Sequence, residues 1–226
     1  RCRSWAAPGA RRGCWRWWSG DGHGRGDRRT AAGGHVSTVA HVVGSVLARL
    51  GVGLAAGVVG SGNFHVTNAL RDAGVPYVAA RHECGAAMIA DGFARTSGQV
   101  AVLSVHQGPG LTNALTGIAE AAKSRTPLLV LTADTAGAAV RSNFRIDTDA
   151  AVRAVGAVAE RVHSAASAVA DVVRAYGTCV RERRTVVLAL PLDVQAQQCA
   201  VPDEPAEVVA WTAPRPVEDA VAALAE

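Results

Sequence analysis

An α/β fold, a parallel sheet with helices on both faces, is the class this sequence predicts, and three observations predict it. Apolar runs of four to seven residues alternate with helical stretches of ten or more. The runs are rich in Val, Leu and Ala and lack in-out alternation, as strands buried on both faces require. Small and polar residues gather in the turns after the runs, where an open parallel sheet binds its ligands.

The elements follow in chain order. "STVAHVVGSVLARLG" offers Ser37 or Thr38 as a helix cap, sets Val39, Val42, Val43, Val46, Leu47 and Leu50 at helical spacing, and stops at Gly51. "GLAAGVVG" is a short apolar strand, and "SGNFHVTNALRDAG" a turn and a helix ending at Gly74. "VPYVAAR" is the next strand, and Glu83 then begins a helix running to about Arg95. "QVAVLSV" is a strand, "GPGLTNALTGIAEAAKS" a Gly-Pro turn and helix, and "TPLLVLTA" another strand. Beyond the polar loop "SNFRIDTD", helices are expected near 149–162 and 164–182, followed by a last strand in "RTVVLALPLDVQ" broken by Pro191. "QQCAVPDEPAEVVAWTAPRP" is Pro-rich and polar and reads as an interdomain linker, and residues 217–226 can start a further helix.

Composition bounds the function. The 226 residues suffice for one domain with a real core, and 49% hydrophobic residues with only 4% aromatics suit closely packed α/β layers. Eight arginines before residue 30 stand against Asp21 and Asp27, so the remainder is slightly acidic although the formal total is +4. Without a basic face carrying aromatics, nucleic-acid binding is not expected. The five cysteines are odd in number and contain no C-x-x-C pair, which fits free thiols in a reducing compartment. No apolar run reaches the roughly 18 residues of a membrane span, and the start lacks a secretory core, so a cytoplasmic location is expected.

Residues 1–35 are a different kind of sequence. They hold four of the five tryptophans, begin with Arg, and show almost no aliphatic periodicity. Arg, Gly, Ala, Trp, Cys and Pro together are what a GC-rich gene yields in the wrong frame. A misassigned start or truncated product is the favoured reading, with a basic binding arm or an Arg-rich transit peptide as alternatives. Disorder is expected here.

Three successive turns carry the chemistry-bearing residues: Gly60-Ser61-Gly62-Asn63, Arg81-His82-Glu83, and His106-Gln107-Gly108-Pro109-Gly110. Each has a bland alternative. The first is neither G-x-G-x-x-G nor a P-loop and reads also as loop geometry. Glu83 could simply complement a helix N-terminal dipole. His106 could be a satisfied strand-end histidine, and Cys84 a small buried hydrophobe. Without a G-x-S-x-G elbow, a hydrolase triad has no support.

Together these stretches resemble the thiamine-diphosphate-dependent enzymes of the acetolactate synthase, benzoylformate decarboxylase and pyruvate decarboxylase superfamily, in their N-terminal pyrimidine-binding domain. "RHECGAAMIADGFARTSG" is similar to R-H-E-x-x-A-x-x-M-A-x-G-[YF]-A-R-x-[ST]-G, "QGPGLTNALTGIAEA" to G-P-G-x-x-N-x-x-x-G-[IL]-A-x-A, and "LPLDVQ" to [IL]-P-x-D-V-Q. The resemblance runs from about 37 to 198, with the motifs in order. It implies the thiamine-diphosphate-binding fold over residues 36–198, and 199–226 as a linker toward a missing middle domain.

It also implies roles. Glu83 would hydrogen-bond N1′ of the cofactor's aminopyrimidine, favouring the imino tautomer that draws the C2 proton from the thiazolium. A carboxylate beside apolar residues suits that task, because desolvation favours its neutral form. Gly60, Pro109, Gly110 and Asn113 fall at cofactor-binding positions. His106, which benzoylformate decarboxylase resembles in having an active-site histidine, is a substrate-side candidate, with Gln107 beside it. Val59-Gly60 in place of Pro-Gly, and Lys123 in place of a common aspartate, depart from the pattern and leave the substrate unnamed.

The resemblance implies further that diphosphate and Mg²⁺ are bound by a separate C-terminal domain with a G-D-G…N motif. Gly20-Asp21-Gly22 imitates its first part but follows no strand and has no asparagine at the expected distance, so no metal ligand is assigned to this chain. The expected function is the cofactor-activating domain of a 2-oxo acid decarboxylase or carboligase, a lyase or transferase, inactive alone as a fragment. One subunit of a split two-chain enzyme, or a non-catalytic binding domain on the same fold, are the alternatives. The expected partner is a second subunit or the missing domain, in a homo-oligomer when complete. FAD, used by some relatives, has no support in these residues.

Overall fold

The computed structural model describes residues 28–29, 35–202 and 215–225. A short strand, β1 (Arg28–Arg29), pairs antiparallel with β2 (His35–Thr38). Helix α1 (Val39–Arg49) follows, capped by the Thr38 hydroxyl, which accepts from the His41 amide at 3.3 Å. The chain leaves this helix through Gly51 at φ +91°, a conformation only glycine adopts without strain.

Next come β3 (Leu54–Gly57), α2 (Phe64–Asp72), β4 (Tyr77–Ala79), α3 (Glu83–Ser97), β5 (Ala101–Val105), α4 (Pro109–Lys123) and β6 (Leu128–Asp134). After a long loop the chain forms α5 (Thr148–Ala154), β7 (Val158–Arg161), α6 (Ala168–Arg181), β8 (Val186–Pro191) and the single turn α7 (Leu192–Gln195). Strand β9 (Gln198–Ala200) pairs with β2, and α8 (Glu218–Ala225) is the last described element.

Six strands make one parallel sheet in the order β4-β3-β5-β6-β8-β7. The predicted α/β class is therefore the observed one. Side chains alternate across each strand, so two cores share one sheet. Val102, Leu129, Leu131 and Leu188 face α1, α2 and α6. Ala101, Leu103, Val105 and Val130 face α3 and α4, against a layer built largely of Ala86, Ala87, Ala90, Ala94 and Ala114. Those small residues let α3 and α4 lie close to the strands and to each other.

The order also says where a ligand belongs. The chain goes from β3 outward to β4, then crosses back to β5 on the other side of β3. The connections on either side of that reversal leave opposite faces, which opens a crevice at the carboxyl ends of β3 and β5.

Two expectations need correction. The helix expected over 149–162 ends at Ala154, and Gly156 at φ +83° turns the chain into strand β7 instead. Pro191 does not break the last strand but ends it, as residue 191 of β8. The helix expected in 217–226 forms over Glu218–Ala225. Apart from Arg28–Arg29 and His35, the expectations for residues 1–35, Gly20-Asp21-Gly22 included, lie outside the described residues, as does 203–214 of the expected linker.

Candidate functional site

The turn after β3 is held by its own side chains. Asn63 Oδ1 accepts from the Gly60 amide at 2.8 Å, and Asn63 Nδ2 donates to Val58 O at 3.1 Å and Ser104 Oγ at 3.0 Å. Thr67 Oγ1 completes the buried chain, 2.9 Å from Ser104 Oγ. Asn63 and Ser104 are buried at 1% and 0% exposure, so this hydroxyl-amide network fixes the turn to β5 rather than to solvent.

Glu83 is the first residue of α3, and His82 caps that helix by accepting from the Cys84 amide at 3.1 Å through Nδ1. Glu83 Oε2 accepts from Asn113 Nδ2, on α4, at 3.0 Å. A Cβ on Gly110 would lie 3.6 Å from Glu83 Oε1 and 2.9 Å from the His106 Cβ. Glycine at 110 thus keeps the space between carboxylate and imidazole open. Oε1 makes no hydrogen bond among the described residues and faces that space. Glu83 and Cys84 are only partly buried, so the described residues do not form the full apolar enclosure expected around them.

His106 joins the first and third turns. Its Nε2 lies 3.2 Å from Ser61 Oγ and its Nδ1 3.2 Å from Gln107 O, a carbonyl that can only accept, so Nδ1 donates there. Gly60 packs against the ring, where a Cβ would meet Cδ2 at 2.5 Å. Phe144, from the loop after β6, tilts over it with ring centroids 5.1 Å apart. Gly108, at φ +60°, lets that loop approach: a Cβ there would lie 2.6 Å from Phe144 O. Pro109 opens α4 at the first helical position, where its missing N–H costs nothing.

Of the residues singled out from sequence, Glu83, Gly60, His106, Gly110 and Asn113 converge at the reversal of strand order, with Pro109 aiming α4. Gln107 does not face the opening. It is 5% exposed and turned inward behind Gly62, its Oε1 without a donor. Ser61, from the first of the three turns, joins them through His106, and Phe144 is an addition. Phe144 sits in a loop with no periodic signal, so only the fold brings it to His106.

A separate cleft of about 740 Å³ opens after β6 and β7, lined by Asp134, Arg145, Asp149, Arg153 and Arg161 among others. Its charges are largely paired: Arg161 is 2.6 Å from Asp134, and Arg153 is 3.7 Å from Asp149. Neither Glu83 nor His106 lines it. The carboxylate, the imidazole and the two glycines meet instead at the strand-order reversal, outside this cleft. Among the described residues no three His, Cys, Asp or Glu side chains are arranged to hold a metal ion. No described helix is long and apolar enough to cross a membrane.

Residues 37–152 match the family model described as thiamine pyrophosphate enzyme, N-terminal TPP binding domain. The chain is 33% identical over 161 residues to a "Probable 2-ketoarginine decarboxylase" of Pseudomonas aeruginosa, covering 69% of this chain and 29% of that protein. It is 44% identical over 87 residues to the acetolactate synthase large subunit of Lactococcus lactis, covering 38% of this chain and 15% of that protein. A sulfoacetaldehyde acetyltransferase of Rhodobacter capsulatus is 38% identical over 87 residues, covering 38% and 15%. The chain thus spans less than a third of the length of these relatives.

Proposed function

Because the chain belongs to the thiamine pyrophosphate enzymes, through their N-terminal TPP binding domain, we propose that it supplies the cofactor-activating half of a 2-oxo acid decarboxylase or carboligase. The observation that carries this reading is the Glu83 carboxylate at the start of α3, with Oε2 held by Asn113 and Oε1 turned toward the opening beside Gly110. The site fits a flat, nitrogen-bearing ring. Gly60 and Gly110 leave room where a Cβ would fill it, and the free carboxylate oxygen offers one hydrogen bond at its edge. When bound, thiamine diphosphate supplies the carbanion chemistry that bond cleavage beside a keto group needs.

The chain's own residues orient and move protons. Glu83 accepts or shares a proton at the ring nitrogen through Oε1, while Asn113 keeps the carboxylate from swinging into solvent. His106, with Ser61 on Nε2, stands on the substrate side as a proton donor or acceptor. Phe144 covers its face and excludes water. Diphosphate and Mg²⁺ would be held by a different segment or subunit, which fits the share of the relatives that this chain spans.

The test is titration of the chain with thiamine diphosphate and Mg²⁺, with and without a polypeptide carrying a diphosphate-binding domain. Turnover of a 2-oxo acid should need both polypeptides, and Glu83→Gln should lower kcat of the pair by about 10²–10⁴-fold. Unchanged turnover in Glu83→Gln would remove the role given to this residue. Absence of cofactor binding by the pair would leave a binding domain without catalysis.

A further inference from the structure

We propose that Gln195 is a positioning residue that seats the 60–63 turn against His106 from beneath, an inference that rests on the reading of this edge as the cofactor site. Gln195 ends α7 and closes the "LPLDVQ" stretch, to which no role has so far been attached. It is 5% exposed, and its side-chain nitrogen uses both N–H groups: one donates to Leu190 O at 2.8 Å, the other to Gly62 O at 3.1 Å. The first bond is local and closes the turn out of β8. The second joins positions 133 apart in the chain.

Gly62 lies in a tight slot. A Cβ there would be 2.0 Å from Gln107 Oε1 and 2.8 Å from the Ala133 Cβ. The turn is therefore wedged between two glutamines, of which Gln195 bonds it and Gln107 offers only an oxygen without a donor. The opposite side of the same turn faces the site. Gly60 lies on the His106 ring, and Ser61 Oγ is 3.2 Å from Nε2. A buried carbonyl that loses its donor is costly, and the chain relieves it by moving toward water. Here that motion lifts Gly60 and Ser61 off the imidazole. Gln195 thus acts on the site through Gly62, without touching it.

Nuclear magnetic resonance of the chain without cofactor tests this. In Gln195→Met, which keeps the volume and removes the donor, the His106 ring-nitrogen resonances should shift. Exchange of the Gly60 amide should accelerate about five- to ten-fold, the loss of one ordinary hydrogen bond. Val152→Ala, on α5 against the far edge of the sheet, is the control for general loosening and should leave both signals in place. Unchanged signals in Gln195→Met, or the same changes in Val152→Ala, would overturn the proposal. Should Gln195→Met not fold, the unsubstituted chain still decides: slow exchange of the Gln195 side-chain amide protons supports it, and exchange at the rate of a free amide refutes it. None of these readings uses the cofactor, so their failure is separate from a failure of Glu83→Gln to impair turnover.

Discussion

Asp171 shows how one side chain can fix an entire entry loop. Its side chain is 4% exposed, and burial alone would raise its pKa. Four hydrogen bonds outweigh that and hold it below the ordinary carboxylate value: the His163 amide at 3.0 Å, Ser167 Oγ at 2.8 Å, Arg174 at 2.9 Å and the His163 ring at 3.3 Å. The loop from β7 into α6 is tied to the helix by this carboxylate. Asp171→Asn keeps the shape but cannot accept at both oxygens, so it should destabilise by about 2–3 kcal/mol at pH 7. The sign with pH follows from a folded pKa depressed below the unfolded value of about 3.9. The carboxylate's contribution is complete above that value and is lost as pH falls through the folded pKa. Urea midpoints of both proteins should therefore differ by the same amount at pH 7 and pH 5 and approach one another near pH 3. An equal gap at pH 3 would mean that the charge is not what ties the loop.

Between elements, the decisive contacts are glycines set against alanines. A Cβ on Gly117 of α4 would lie 2.4 Å from the Ala87 Cβ of α3, and one on Gly44 of α1 would lie 2.6 Å from the Ala69 Cβ of α2. Gly117→Ala gains about 1 kcal/mol of helix propensity, yet inserting a methyl into that contact costs about 1–3 kcal/mol. Its melting temperature should fall, and α3 should part from α4, breaking the Asn113 bond to Glu83. Gly92, in the same α3, meets nothing within 4 Å of the added carbon. Gly92→Ala should therefore stabilise, by about 0.5–1 kcal/mol in a thermal melt. Opposite signs for two identical substitutions test the packing itself. The same scale explains what was legible in the sequence. The central strands were, because residues buried on both faces leave unbroken apolar runs. β7 was not: it is an edge strand, and its Glu160 and Arg161 are occupied with Arg174 at 2.9 Å and Asp134 at 2.6 Å, so neither an apolar run nor an alternation marks it. Glu83, His106 and Gly110 were legible in successive turns, and Asn113, inside α4, only through the family resemblance. Phe144 and the second bond of Gln195 were not, since both depend on where distant turns meet.

At the scale of the whole molecule, the site straddles the sheet. The 60–63 turn leads into α2 on one face, whereas Glu83 and Pro109 lead into α3 and α4 on the other. Their relative placement is only as good as the coupling between the two cores. That coupling is strong on physical grounds, because alternate residues of the same strand serve opposite cores: Leu129 and Leu131 of β6 on one side, Leu128 and Val130 on the other. Neither layer can lose its strands without exposing the other. A chain of 226 residues is large enough for two-state behaviour to need proof. Leu103 is fully buried in the core beneath α3 and α4, and Leu103→Ala should cost about 2–5 kcal/mol. If the cores are one unit, the slowest-exchanging amides of α1, around Val43 and Leu47 on the opposite face, should speed up by the same factor as those of α4. That factor is at least about 30-fold at the lower bound of that cost. Acceleration confined to α3 and α4 would show two separately opening layers. The geometry of Glu83 against the 60–63 turn would then have to be held by something other than the packing of these two layers.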